Sequence, residues 1–277
     1  MGADVMERSV VVTGAGAGIG RAIAERLAAD GWQVVGLVRS AERAREVAAS
    51  IAALVEGDAS VRADHGRAAA AARELAPLRG WVNNAGITQR TPLHDLDEAV
   101  VREIVDLNGY GYVWGCEAAV RAFGEQGLPG AIVNVSSVHG RASFADHAAY
   151  DFTKGGIDAL TRNVAVSYGP VGVRANAIAA GGVMTPHLRR YIDAAPDPAA
   201  AEAKLGEGPP LRRIARAEEI AAVAAFLLSK EASYLSGQSI AVDGGWTAAC
   251  ASSPVDPAYA ARFPAAAGSD DDDGGAG

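Results

Sequence analysis

Short runs rich in β-branched and aliphatic residues alternate along this chain with longer alanine-rich stretches. Residues 9–13, 33–38, 54–56, a fourth run ending with 81–83, and 131–136, 173–178 and 239–242 read as seven strands. Between them, 19–30, 41–53, 67–75, 101–123, 150–168 and a stretch after residue 212 read as helices. The strands are almost wholly apolar rather than alternating, which is the signature of a parallel sheet buried on both faces by helices. Residues 183–210 break the rhythm. With Pro186, Pro196, Pro198, Pro209 and Pro210 they read as an irregular insert, placed to serve as a lid. After residue 248 the composition shifts again, to Pro-containing segments and the terminal GSDDDDGGAG, a weakly ordered acidic tail spanning 249–277. The expected organisation is one α/β domain over 1–248, then the tail.

Composition narrows the function classes. The 277 residues are 49% hydrophobic, enough for one well-buried core, and Lys plus Arg at 25 against Asp plus Glu at 33 leaves a net charge of −8. Half of that deficit lies in the run 270–273. An acidic chain with no basic stripe is a poor partner for nucleic acid or an anionic membrane. Cys116 and Cys250 are too few for a disulfide scaffold and have no metal-ligand neighbours at useful spacing, so both read as free thiols with no metal site. Charges interrupt every apolar run before membrane-spanning length, and the N-terminus lacks a signal-peptide succession. The expected setting is soluble and cytoplasmic.

Candidate chemistry concentrates on three side chains. Tyr150 and Lys154 are four apart in YDFTK, so a helix brings them to one face. A tyrosine titrates near 10, and a nearby ammonium is expected to favour its phenolate and bring it toward neutral pH. Ser137 would steady a carbonyl or alcohol oxygen beside the phenol. Upstream, TGAGAGIG at 13–20 puts Gly14, Gly18 and Gly20 in a strand-to-helix turn, where missing side chains let backbone approach a pyrophosphate at the helix N-terminus.

These features, with Asn83-Asn84-Ala85-Gly86, Asn108 in DLNGYGYVWG, VNVSSVHG at 133–140, VRANAIAAGGVMTP at 173–186, RRIARAEEIA at 212–221 and GQSIAVDGG at 237–245, resemble the short-chain dehydrogenase/reductase family across residues 8–247. One departure is Ala180 before Gly181, where the family has proline. The resemblance implies a single Rossmann-type, doubly wound domain and a ketoreductase that interconverts a ketone and a secondary alcohol. Its implied catalytic set is Asn108, Ser137, Tyr150 and Lys154. The implied dinucleotide contacts are Gly14, Gly18, Ile19, Gly20, Asp58, Ala59, Asn84, Ala85, Gly86, Gly181, Val183 and Thr185, with Tyr150 and Lys154. An NAD-dependent alcohol dehydrogenase and a catalytically silent dinucleotide sensor are the alternatives.

The end of the second strand bears on which dinucleotide. An NAD site calls for a carboxylate about 20 residues past the glycines, and family spacing puts Val38 there, followed by Arg39 and by Ser40 as an expected helix N-cap. A cation at a helix start opposes the macrodipole unless an anion lies against it. NADP(H) is therefore expected over NAD(H), with Arg39 and Ser40 on the 2′-phosphate. His139, Arg141, Ser143, His147, Met184, Leu188 and Tyr191 are positioned to line a pocket for a small carbonyl or alcohol substrate. Family members pair through the helices expected at 101–123 and 150–168, which implies a homodimer or homotetramer.

Overall fold

The protein, as a computed structural model, is described for residues 8–42, 44–250 and 257–262. Seven parallel strands form one sheet: β1 (Ser9–Thr13), β2 (Gln33–Val38), β3 (Ala53–Glu56), β4 (Leu78–Asn83), β5 (Ala131–Ser137), β6 (Arg174–Ala180) and β7 (Ser239–Val242), in spatial order 3-2-1-4-5-6-7. Successive β1 side chains enter opposite layers, as the two-residue period of a strand demands. Val10 and Val12 pack with Ile23 and Leu27 of α1 (Gly18–Ala29) and with Ile220 and Leu227 of α9 (Ala217–Leu228). Val11 packs with Trp81 and with Ala68, Ala72 and Phe123 of α3 (Arg62–Leu75) and α5 (Gly111–Gln126). The strand order reverses between β1 and β4, so a crevice opens beyond their carboxyl ends, where open α/β sheets bind ligands.

Several sequence expectations need correction. The helix expected over 41–53 is only α2, one turn at Arg45–Ala48, whose N-cap is Ala44. Ser40 is thus no cap, and Arg39 does not stand at a helix start. Only Ala44 and Val47 of that turn are buried, too little apolar contact to extend a helix whose nucleation is costly. The stretch at 101–123 is α4 (Glu98–Ile104) and α5, joined by a π-helical turn at Val105–Tyr110 that holds Asn108. The insert is not irregular, for it holds α7 (Pro186–Asp193) and α8 (Pro198–Glu207), each beginning on a proline. Proline at the first helical position lacks an N–H that would have no partner there anyway. Thr185 and Asp197 cap these helices, accepting from Leu188 N and Ala200 N.

The chain divides into two compact units, residues 1–247 and 248–277. In the second, Pro257–Ala260 forms one helical turn, α10. The acidic run at 270–273 lies outside the described residues. No helix among those described is long and apolar enough to cross a membrane. Cys116 is buried and Cys250 exposed, both unpaired.

Candidate active site

Thr13 ties the two strands that flank the crevice. Its Oγ1 accepts from the backbone N–H groups of Asn84 (2.9 Å) and Ala85 (3.0 Å), and Asn84 Nδ2 returns a bond to the Thr13 carbonyl at 3.0 Å. The glycine turn is pressed against this clamp. Gly14 and Gly18 adopt φ of +68° and +54°, conformations that favour glycine, and a Cβ on Gly14 would stand 2.9 Å from Ala85 Cα. A Cβ on Gly20 would reach within 2.2 Å of the Gly14 carbonyl oxygen. The helix that follows has Ala17 as N-cap with no side-chain hydrogen bond and no acid in its first turn. Its first amides therefore point into the crevice with no side chain to cap them, while Ile19 packs back on the core. This cradle fits a pyrophosphate.

Around it, Thr185 of the lid lies beside Gly18, so near that a Cβ there would stand 3.2 Å from Thr185 Cγ2. Val183 is buried and bridges Ala215, and Met184 N donates to the Ala215 carbonyl at 2.8 Å. Gly181 backs onto Asp243, where a Cβ would meet its Cα at 2.9 Å. Asp58 turns its carboxylate onto Ser60, accepting from both its N–H and its hydroxyl at 2.8 Å. The Ala59 carbonyl accepts from buried His65 at 2.8 Å. At the end of β2, Val38 is buried, Arg39 is exposed without an ion pair among the described residues, and Glu56 Oε2 accepts from Ala41 N at 3.0 Å.

Lys154 and Tyr150 project from α6 (Ala148–Tyr168) toward the end of β5. Lys154, 4% exposed, donates to the Val135 carbonyl at 2.9 Å, the same oxygen that takes the buried Tyr112 hydroxyl at 2.8 Å. Its Nζ lies 5.3 Å from the centres of both the Tyr112 and Tyr150 rings. Burial lowers Lys154 to about 7, opposed by the Asp158 carboxylate. Burial likewise raises Tyr150 to about 12, with the nearby Ser137 hydroxyl pulling the other way. The expected lowering of the phenol by an ammonium is therefore not seen, because burial disfavours the charged form of both groups.

Ser137 ends β5 with its Oγ 3.4 Å from the Ala180 carbonyl, which it can donate to, and it accepts from His139 N at 3.3 Å. Ala180 continues β6 in register with Ser137 and Val242. Asn108 is fully buried and spends its amide on the Ile87 backbone, accepting from N at 2.9 Å and donating to O at 2.8 Å. Next to Gly86, it props the segment leaving β4.

Of the expected pocket residues, His139 meets the Tyr150 ring edge-on at 5.0 Å and His147 at 5.6 Å. Arg141 turns away to the Ser239 carbonyl, Ser143 and Tyr191 are exposed, and Leu188 is half-buried on α7. Two aromatic residues extend the wall beyond what spacing could show. Phe144 stacks on His139 at 4.7 Å, and Trp246 meets Phe144 edge-on at 5.1 Å.

The sequence profile of a family described as enoyl-(acyl carrier protein) reductase matches residues 14–247. The chain belongs to the short-chain dehydrogenase/reductase family. It is 40% identical to a cis-4-hydroxycyclohexanecarboxylate dehydrogenase of Sinomonas cyclohexanicum, over 90% of this chain and 100% of that one. It is 36% identical to 3beta-hydroxysteroid dehydrogenase 1 of Eggerthella lenta, over 88% of this chain and 95% of that one. The crystal structure of a levodione reductase superposes with a TM-score of 0.83 at 34% identity, covering 88% of this chain and 99% of that one. As a member of this family the chain is an oxidoreductase acting on CH–OH groups, in a family that uses NAD(P)(H).

Proposed function

We propose that this short-chain dehydrogenase/reductase is an NADP(H)-dependent ketoreductase with Tyr150 as its general acid and base. The observation that carries the reading is the convergence of Ser137, Tyr150 and Lys154 at the end of β5, beside the crevice with the glycine cradle. The nicotinamide, when bound, supplies or accepts the hydride. Tyr150 Oη gives a proton to the substrate oxygen in reduction and takes it back in oxidation. A phenol pushed up to about 12 is protonated at neutral pH and so carries the proton that reduction consumes. Ser137 Oγ hydrogen-bonds the same oxygen and stabilises charge developing there. Lys154, fixed on the Val135 carbonyl below the Tyr150 ring, is the cation nearest the phenolate as it forms. Asn108 keeps the floor of the site in place through Ile87.

The glycine cradle and the uncapped start of α1 would hold the pyrophosphate, with Asp58, Ala59, Asn84, Ala85 and Gly86 toward the adenosine and Gly181, Val183 and Thr185 toward the nicotinamide. NADP(H) is favoured because no acid follows β2 at Val38 and the Arg39 guanidinium beside it stands exposed, with no ion pair among the described residues. Because α2 starts only at Arg45, no helix dipole acts at Arg39, and its charge alone supports the preference. A cytoplasmic homodimer or homotetramer completes the reading, supported by Val113 of α5 and Phe152 and Val166 of α6, apolar side chains that stand exposed. Initial rates over a panel of cyclic and acyclic ketones, each with NADPH and with NADH, test the function. No turnover with any of them would favour a silent dinucleotide sensor.

A further inference from the structure

His139 lies in the 3-10 turn Val138–Gly140 directly after Ser137, and its Nδ1 is 2.5 Å from Asp151 Oδ1. An ionised carboxylate only accepts hydrogen bonds, so Nδ1 carries the hydrogen and the neutral ring keeps a bare lone pair on Nε2. Asp151 sits in the first turn of α6, next to Tyr150, and so fixes the tautomer of a ring that meets the Tyr150 ring edge-on at 5.0 Å. Phe144, stacked on it at 4.7 Å, also fixes the plane of that ring. Among the described residues Asp151 is the ring's sole hydrogen-bond partner, and the His139 side chain retains 14% exposure, which leaves Nε2 as an unused acceptor on a ring beside Tyr150. Burial lowers His139 below its ordinary range, opposed by Asp151, while His147 and Lys154 push the same way as burial. The neutral, accepting form is the one present at and above neutral pH.

We propose that His139, locked by Asp151, is a specificity-determining residue that accepts a hydrogen bond from a hydroxyl on the carbon next to the reacting one, making α-hydroxy ketones and vicinal diols the preferred substrate class. With ring centres 5.0 Å apart, His139 is within reach of an oxygen on the carbon next to the one Tyr150 serves. The inference rests on Tyr150 as the reacting group. It differs from anion recognition, which would need the charged imidazole that burial disfavours.

The test compares 2-hydroxycyclohexanone with cyclohexanone in wild type, His139→Phe and Asp151→Asn, reading the ratio of kcat/KM for the two ketones. A ratio cancels any effect of the variants on Tyr150 or on the amount of folded enzyme. The wild type should favour the hydroxyketone by about 5- to 10-fold, the value of one neutral hydrogen bond. His139→Phe should bring the ratio to near one. Asp151→Asn should lower it too, since an amide can donate to Nδ1 and move the ring hydrogen to Nε2. A wild-type ratio near one, or a ratio unchanged in His139→Phe, overturns the proposal. A parallel titration of intrinsic tryptophan fluorescence with trans-cyclohexane-1,2-diol and cyclohexanol separates this from failure of the reaction assignment. Tighter diol binding that His139→Phe abolishes, in an enzyme that turns over neither ketone, keeps the recognition and removes the reaction. Equal binding of the two alcohols to such an enzyme removes the recognition as well.

Discussion

The Lys154 Nζ lies 5.3 Å from the centre of the Tyr150 ring while its hydrogen bond goes to the Val135 carbonyl, 2.9 Å away. The lysine is thus held by the backbone of β5, under the tyrosine rather than bonded to it. Its folded-state value of about 7 lies below the ordinary value for an exposed lysine, so folding here opposes protonation. From about 7 up to the unfolded value near 10.4 the unfolded chain binds more protons, and stability from this group rises with pH. Below about 7 both states are protonated and the cost of burying the charge is full.

Lys154→Met removes that cost. At pH 7 its Tm should equal or exceed that of the wild type, while turnover falls by about 100-fold or more. Thermal melts and initial rates on the same preparation check this, and a Tm several degrees lower would show that the buried ammonium is a net stabiliser.

The direction of catalysis should follow the tyrosine. A phenol pushed up to about 12 stays protonated at neutral pH and is a scarce base there, so alcohol oxidation should climb from pH 7 to 10 as phenolate becomes available, while ketone reduction stays level or declines. Initial rates in both directions across that range decide it. Oxidation that falls with rising pH contradicts the assignment.

Cofactor choice is testable at two adjacent residues. A charge-assisted hydrogen bond from Arg39 to phosphate contributes about 1.5 to 3 kcal/mol, so Arg39→Ala should weaken NADPH roughly 10- to 150-fold and barely alter NADH. Val38→Asp should shift preference toward NADH by repelling the 2′-phosphate. Wild-type preference for NADH, or an equal loss of both cofactors in Arg39→Ala, would show that this guanidinium does not read the phosphate.

The acidic tail is expected to be dispensable. Its Pro, Gly and Asp content cannot supply a core, and truncation after Gly268 should leave Tm and activity nearly unchanged. A melting temperature lowered by several degrees would show that the tail docks on the body.

The strands and the glycine turn were legible because each obeys a local rule: an apolar run for β1 or β5, and a positive φ where Gly14 and Gly18 sit. The Ser137, Tyr150 and Lys154 spacing was legible too, since α6 brings residues four apart to one face. The start of α2 was not, because alanine-rich sequence from 41 to 53 satisfies helix propensity while tertiary contact at Ala44 and Val47 holds only one turn. Prolines misled in the lid, where Pro186 and Pro198 begin helices instead of preventing them. The π-helical turn at Asn108 leaves the apolar periodicity of its helix unmarked. Contacts such as His139 to Asp151 and Phe144 to Trp246 join separate elements, and no spacing in the chain announces them.

The central claim is that Tyr150 moves the proton, and Tyr150→Phe tests it most directly. The substitution keeps the ring that Lys154 and His139 pack against and removes only the hydroxyl. With NADPH binding measured separately, the expected result is an intact fold, unchanged cofactor affinity and a kcat for ketone reduction lower by about 100-fold or more. Near wild-type turnover in this variant would contradict the account.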